Sequence, residues 1–182
     1  LPIGTVDDLS GDPGNTSRLY VALQGNGIYR TDDTGANWIQ VSNNDATLNA
    51  AMLASSNARI AVGGNTARVF VLVTNGSTVS YIGFSDDQGT TWTQMDVPGT
   101  AEAALRGRDE LMSMVVDPGN SNIVYVGAIS QRSPFPNSVG ATDFVAHMFR
   151  GDTTRARGLT GTVSNQWDHL TNATGNALMP NG

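Results

Sequence analysis

Three stretches of this chain are variants of one another, and that repetition limits the folds open to it more than any other feature. The first runs from Asp12 as DPGNTSRLYVALQGNGIYRTDDTGANWIQV. The second runs from Val62 as VGGNTARVFVLVTNGSTVSYIGFSDDQGTTWTQM. The third starts at Asp117 as DPGNSNIVYVGAISQ and continues through HMFRGDTTRARG to NQWDHL. Each opens on a polar turn with Gly and Asn, followed by a β-rich run: RLYVAL, RVFVLV or IVYVGA. A second apolar strand comes next (GIYR, SYIGF or HMFR), then an acidic turn, then Trp38, Trp92 or Trp167 at the start of a last strand. Short runs rich in Val, Ile, Tyr and Phe between turn residues read as β-strands. A period of roughly 50 residues with several strands per repeat predicts propeller blades rather than a helical solenoid. The expected fold is all-β, with about three small four-stranded antiparallel blades. Their expected bounds are 1–45, 50–98 and 108–172.

The composition agrees with that reading. All ten basic residues are arginine, and Glu102 and Glu110 are the sole glutamates among sixteen acids. Lys and Glu favour helices, whereas Asp, Asn, Gly and Thr favour turns and strands. The one segment expected to hold a helical turn or two is 101–114, interrupted by Gly107, as the connection into the third blade. A net charge of -6 argues against a non-specific nucleic-acid binder. With no cysteine there is neither a disulfide framework nor a thiolate metal site. No run of about 18 apolar residues is present, so no membrane-spanning helix is expected. The chain opens on LPIGTV without an initiator methionine or a charged apolar leader, so any signal peptide is expected to have been removed.

The acidic turns carry the most specific pattern. Thr31, Asp33, Gly35 and Trp38 follow Ser/Thr-x-Asp-x-Gly-x-x-Trp, and Ser85, Asp87, Gly89 and Trp92 repeat it 54 residues later. The pattern resembles the Asp-box, or bacterial neuraminidase (BNR) repeat. That repeat is found in sialidases, xyloglucan-hydrolysing propellers, sortilin-type receptors and photosystem assembly factors. The resemblance spans nearly the whole chain, and it implies that these residues are structural. The aspartate accepts bonds from its own turn, the glycine allows a positive φ, and the tryptophan packs beneath the hairpin. The third copy keeps Asp152 and Trp167 but sets them fifteen positions apart, as a degenerate box with an inserted loop. It also spells Arg150-Gly151-Asp152, an adhesion tripeptide in other settings, which here falls within the turn pattern and is read as coincidence.

Three blades do not close a ring, since propellers have about four to eight. The 182 residues are therefore expected to be part of a larger propeller, completed by further blades of the same chain or by other chains. The expected function is a non-enzymatic binding or scaffold module of a secreted or cell-surface bacterial BNR-repeat protein, contacting protein or glycan through its loops. The alternative is part of a carbohydrate-active glycoside hydrolase, xyloglucanase-like or sialidase-like. The sialidase motif Phe/Tyr-Arg-Ile-Pro is absent, and LQGNGIYR has Asn26 where a catalytic acid would be wanted. Asp7, Asp8, Asp109 and Asp143 are left as unassigned acids. Arg132 and Phe135, on the proline-containing loop 131–144, are the candidate ligand contacts. His147 is expected to be a strand residue with a satisfied ring nitrogen, and two lone histidines do not suggest a metal centre. No cofactor is firmly expected: the SGDPGN, TDDTG, SDDQG and DPGNSN turns offer ligands that calcium prefers, but none has the spacing of a known calcium loop, and hydrated surface turns are the favoured reading.

Overall fold

A computed structural model describes residues 1–63, 68–100, 112–129, 133–136 and 146–171. Three four-stranded antiparallel sheets follow one another along the chain. The first joins β1 (Val6–Asp12), β2 (Asn15–Leu23), β3 (Gly27–Thr31) and β4 (Ile39–Gln40) in that order. A short 3-10 turn at Ser42–Asn44 and α1 (Ala46–Leu53) lead to the second. That sheet comprises β5 (Asn57–Val62), β6 (Val69–Asn75), β7 (Thr78–Ser85) and β8 (Thr93–Gln94). The third orders β9 (Ser113–Asp117), β10 (Asn120–Ala128), β11 (His147–Asp152) and β14 (Trp167–His169) in the same way. Between β11 and β14 lies a small hairpin of β12 (Leu159–Thr160) and β13 (Val163–Ser164).

Strand alternation decides how the sheets stack. Successive side chains of a strand point to opposite faces. On β6, Val69, Val71 and Val73 face back toward the first sheet, where they join Tyr20, Ala22 and Ile28 in one buried cluster. Phe70 and Leu72 face forward and join Ile82, Val124, Val126, Phe149 and Trp167 in another. One strand thus feeds two cores, and the middle sheet is buried on both faces. This explains why its run VFVLVT is continuously apolar rather than alternating. The first strands β1, β5 and β9 pack beside one another, so the sheets converge at their first strands and splay toward β4, β8 and β14.

The described helix lies in a segment that the sequence reading did not single out. Segment 101–111 falls outside the described residues, and Ser113–Met114 already belong to β9. The helix is α1, an Ala-rich run whose N-cap Asp45 accepts a bond from the Leu48 N–H at 2.7 Å. Leu48 and Met52 anchor it in the first core. Its eight residues are too few to stand alone in water, so tertiary packing sustains it.

His147 departs from expectation as well. It is a strand residue, but its ring is buried and its Nε2 has no hydrogen-bond partner among the described residues. Its ring meets the rings of His169 and Phe149 at centroid distances of 5.0 and 4.9 Å. Burial, reinforced by the neighbouring His169, pushes the His147 imidazole down to about 4, and burial alone does the same to His169. A folded-state value below the unfolded one means that protonation favours the unfolded chain. Stability is therefore expected to be full above the ordinary histidine range and to fall as pH drops from about 6.5 toward 4. Urea midpoints recorded across that window should decline for the wild type and decline less for His147→Phe.

Candidate functional site

The two ends of the sheets differ in chemistry. At one end lie the acidic turns, together with the Asp12–Asn15 and Asp117–Asn120 turns. At the other lie Thr5, the β2–β3 turn and the start of β5.

The acidic turns are closed hydrogen-bond units. Thr31 Oγ1 donates to Asp33 Oδ1 at 2.7 Å and accepts from the Gly35 N–H at 3.0 Å. Asp33 also accepts from the Asn37 N–H at 2.8 Å and from the Asn37 amide at 2.7 Å. Ser85, Asp87, Gly89 and Thr91 repeat these contacts at 2.7–2.8 Å. Bonds from the Asn37 N–H, the Thr31 hydroxyl and the Asn37 amide hold the Asp33 carboxyl down to about 2. Burial opposes the same trend at Asp87, but the bonds from Thr91 and Ser85 prevail and its carboxyl is lowered too. Such carboxylates stay ionised and are saturated by their own turns, so they are structural anchors rather than proton donors.

These turns also lock one sheet to the next. The Trp92 indole donates to Val41 O at 3.0 Å, Arg30 reaches Gln88 O at 2.6 Å, and Asn44 reaches Gly89 O at 2.8 Å. Trp167 likewise donates across to Asp96 O at 2.8 Å. Trp38 instead donates within its own turn, to Gly35 O at 3.0 Å. Each of the first two turns has a companion ion pair that the sequence pattern had not singled out. Arg18 meets Asp32 at 2.6 Å, and Arg68 meets Asp86 at 2.5 Å. The signal was present, since an arginine opens both RLYVAL and RVFVLV and both turns carry two adjacent aspartates.

The third turn is built differently. Leu19 faces Thr31 and Val69 faces Ser85, but the equivalent Val124 faces Gly151, itself opposite Trp167. Gly151 thus takes the hydroxyl position, because a Cβ there would lie 2.6 Å from the Trp167 ring. Asp152 falls one position later, level with Asp32 and Asp86. It accepts from the Thr154 N–H and hydroxyl at 3.0 and 2.6 Å. The Arg150-Gly151-Asp152 tripeptide lies on β11 with Gly151 buried, and Arg150 is paired with Asp168 at 3.2 Å. Arg132 lies outside the described residues; Phe135 is half-buried between exposed neighbours.

No described group of three or more His, Cys, Asp or Glu side chains could hold a metal ion. In the turns considered for calcium, Asp12 accepts from the Gly14 N–H and from Arg18, and Asp117 from the N–H groups of Gly119 and Asn120.

At the opposite end, where the first two sheets converge, a cleft of about 320 Å³ opens. Thr5, Val6 and Asp7 form one wall, and Ser56, Asn57 and Arg59 form the other, with Gln24 between. The Gln24 amide bridges to Ser56 O and closes one end. Arg59 spans three sheets: Nε donates to Met112 O at 2.9 Å, and Nη1 to Asp7 O and Ala58 O, both at 3.1 Å. Asp8 ties β1 to β5 by accepting from the Ile60 N–H at 2.8 Å.

No family model matches the chain. No curated protein matches it either. Solved structures do. YCF48 from Cyanidioschyzon merolae is similar over 93% of this chain and 38% of its own, at 14% identity and a TM-score of 0.53. The GH74 enzyme of Niastella koreensis is similar over 92% and 30%, at 18% identity and 0.51. YCF48 bound to D1 peptide is similar over 92% and 39%, at 14% identity and 0.50. These are β-propeller proteins, and the chain spans less than two fifths of the length of each.

The three sheets are propeller blades. Their first strands converge, and contacts at the second acidic turn and from Trp167 tie the second and third blades each to the one before. The cleft lies where blades one and two meet, at the start of their first strands. No helix among the described residues is long and apolar enough to cross a membrane.

Proposed function

We propose that the chain is part of a non-enzymatic β-propeller module that binds a protein or glycan ligand through the loops at its inner end, in a secreted or cell-surface bacterial protein. The observation that carries this reading is the make-up of the cleft. Its described lining has backbone-tethered polar groups and a single carboxylate, Asp7. Glycoside hydrolysis needs two carboxylates flanking the scissile bond. Asp8, Asp12, Asp33, Asp87, Asp96, Asp117 and Asp152 are engaged in turns, strand contacts or ion pairs. We also read the first two acidic turns as Asp-box hairpins of the BNR type. The reciprocal hydroxyl–carboxylate bonds and the positive φ at Gly35 and Gly89 support that. Further blades, from the same chain or from others, would complete the ring.

A test combines a hydrolysis assay with a binding assay. Incubated with xyloglucan and sialyl-lactose, the protein should release no sugar. In calorimetry against peptide and oligosaccharide panels it should bind at least one class, and Asn57→Ala should weaken that binding about tenfold, as for a lost charge-neutral contact in a desolvated site. Turnover that is lost on Asp7→Asn would overturn the reading in favour of a glycoside hydrolase.

A further inference from the structure

We propose that Arg59 anchors a carboxylate of an extended peptide in the inner cleft. This deepens the binding-module reading and rests on it. Seven arginines lie among the described residues. Six have a carboxylate within ion-pair distance: Arg18, Arg30, Arg68, Arg150, Arg155 and Arg157. Arg59 has none among the described residues. Its bonds go to three neutral carbonyls, from Asp7 on blade one, Ala58 on its own blade and Met112 beside blade three. Carbonyls orient a guanidinium without cancelling its charge. Nη2 donates to no described residue, and the side chain lines the cleft. The arrangement is a fixed cation with spare N–H donors at a concave site, which is how arginine recognises carboxylates. Because three blades hold it, little ordering entropy remains to be lost when a ligand arrives.

The rest of the lining narrows the ligand. The described wall carries one formal charge of each sign, on Arg59 and Asp7, so it has no net formal charge and a dianion such as phosphate would meet more repulsion from Asp7 than a monoanion such as a single carboxylate would. Thr5, Gln24 and Asn57 place polar groups along the cleft, and the described lining contains no aromatic ring on which a sugar could stack. Peptide backbone suits such a wall better than a uronic acid does. A volume near 320 Å³ lies at the lower end of the range of about 300–1,000 Å³ for small-ligand sites, room for the end of a chain.

The test follows the Arg59 side-chain Nε–H resonance of the intact protein by NMR, assigned by triple-resonance experiments. The probes are sodium acetate, inorganic phosphate at pH 7.5, sodium chloride, galacturonic acid, and tetra-alanine with a free or an amidated C-terminus. Acetate and free-terminus tetra-alanine should shift the resonance saturably. Phosphate should bind at least tenfold more weakly, and the amidated peptide and chloride should leave it unmoved. Asn57→Asp, which adds a second negative charge to the wall and leaves Arg59 in place, should weaken acetate binding at least tenfold. Equal shifts from chloride, or from the amidated peptide, overturn the proposal. Tighter binding of galacturonic acid than of tetra-alanine overturns the choice of a peptide. If a peptide moves the Gln24 and Asn57 resonances and not Arg59, the binding module stands and the carboxylate anchor falls. If no probe moves any of the three, both fall.

Discussion

Gly89→Ala is expected to destabilise the fold by about 3 kcal/mol, from left-handed backbone strain of about 1–2 and overpacking of about 1–3. Gly89 has φ +89, and a Cβ there would lie 2.7 Å from the Val41 Cβ on the preceding blade. A branched carbon just after β4 cannot swing aside as the tip of a long side chain would. Two glycines provide internal controls. Gly76 has φ +58 with nothing within 4 Å, and Gly35 has φ +97 with only its own Trp38 nearby, at 3.7 Å. Alanine at either should cost the strain alone, about 1–2 kcal/mol. Urea titration of the three variants separates the two effects. Equal losses at 35 and 89 would show that the second turn does not press on the first blade.

Trp167→Ala should be comparably severe, with a loss of about 3–5 kcal/mol for a fully buried tryptophan. The ring is 3% exposed, covers Gly151 and meets Phe149 edge-on at a centroid distance of 6.5 Å. Its indole N–H also holds Asp96 O of the second blade at 2.8 Å. Asp96 is itself a hub: Arg157, the Gly158 N–H and the Ser164 hydroxyl all donate to its carboxylate, at 2.7, 2.6 and 2.9 Å. Truncating Trp167 should therefore loosen the inserted hairpin along with the blade contact. Trp167→Phe retains most of the packing and should lose roughly 1 kcal/mol for the missing bond, plus a small cavity cost. Trp38→Ala, at the half-buried tryptophan that donates within its own turn, should cost clearly less. Calorimetric melting of the three proteins gives the ranking. A Trp38 variant as damaged as the Trp167 one would refute the inter-blade role.

Repetition and local pattern made the architecture legible. Residues such as Thr31, Asp33 and Gly35 act on neighbours within four positions, so their geometry is encoded in the order of the residues. The β-runs are equally plain, most of all in β6, because burial on both faces demands unbroken apolar sequence. Local sequence misleads where the deciding partner is distant. Asp45 before an Ala/Leu/Met run was a visible helix start, yet its eight residues needed the core to hold them. The third turn looked like a stretched box. Only the β10–β11 register shows that Gly151 stands in the hydroxyl position beneath Trp167 and that Asp152 lies one place further on.

The inner cleft was the least legible part. Asp7 stood out as an unassigned acid, but Gln24, Asn57 and Arg59 belong to ordinary strand ends with no motif around them. What brings them together is the convergence of first strands more than fifty residues apart in sequence, which also places three carbonyls from separate segments around Arg59. By itself the sequence determined the strands, the turns and the blade repeat, because those follow from contacts within a few residues. The tertiary structure alone decided which blade grips which turn and how residues of separate strands come to line one cleft, because those depend on long-range packing that no local pattern records.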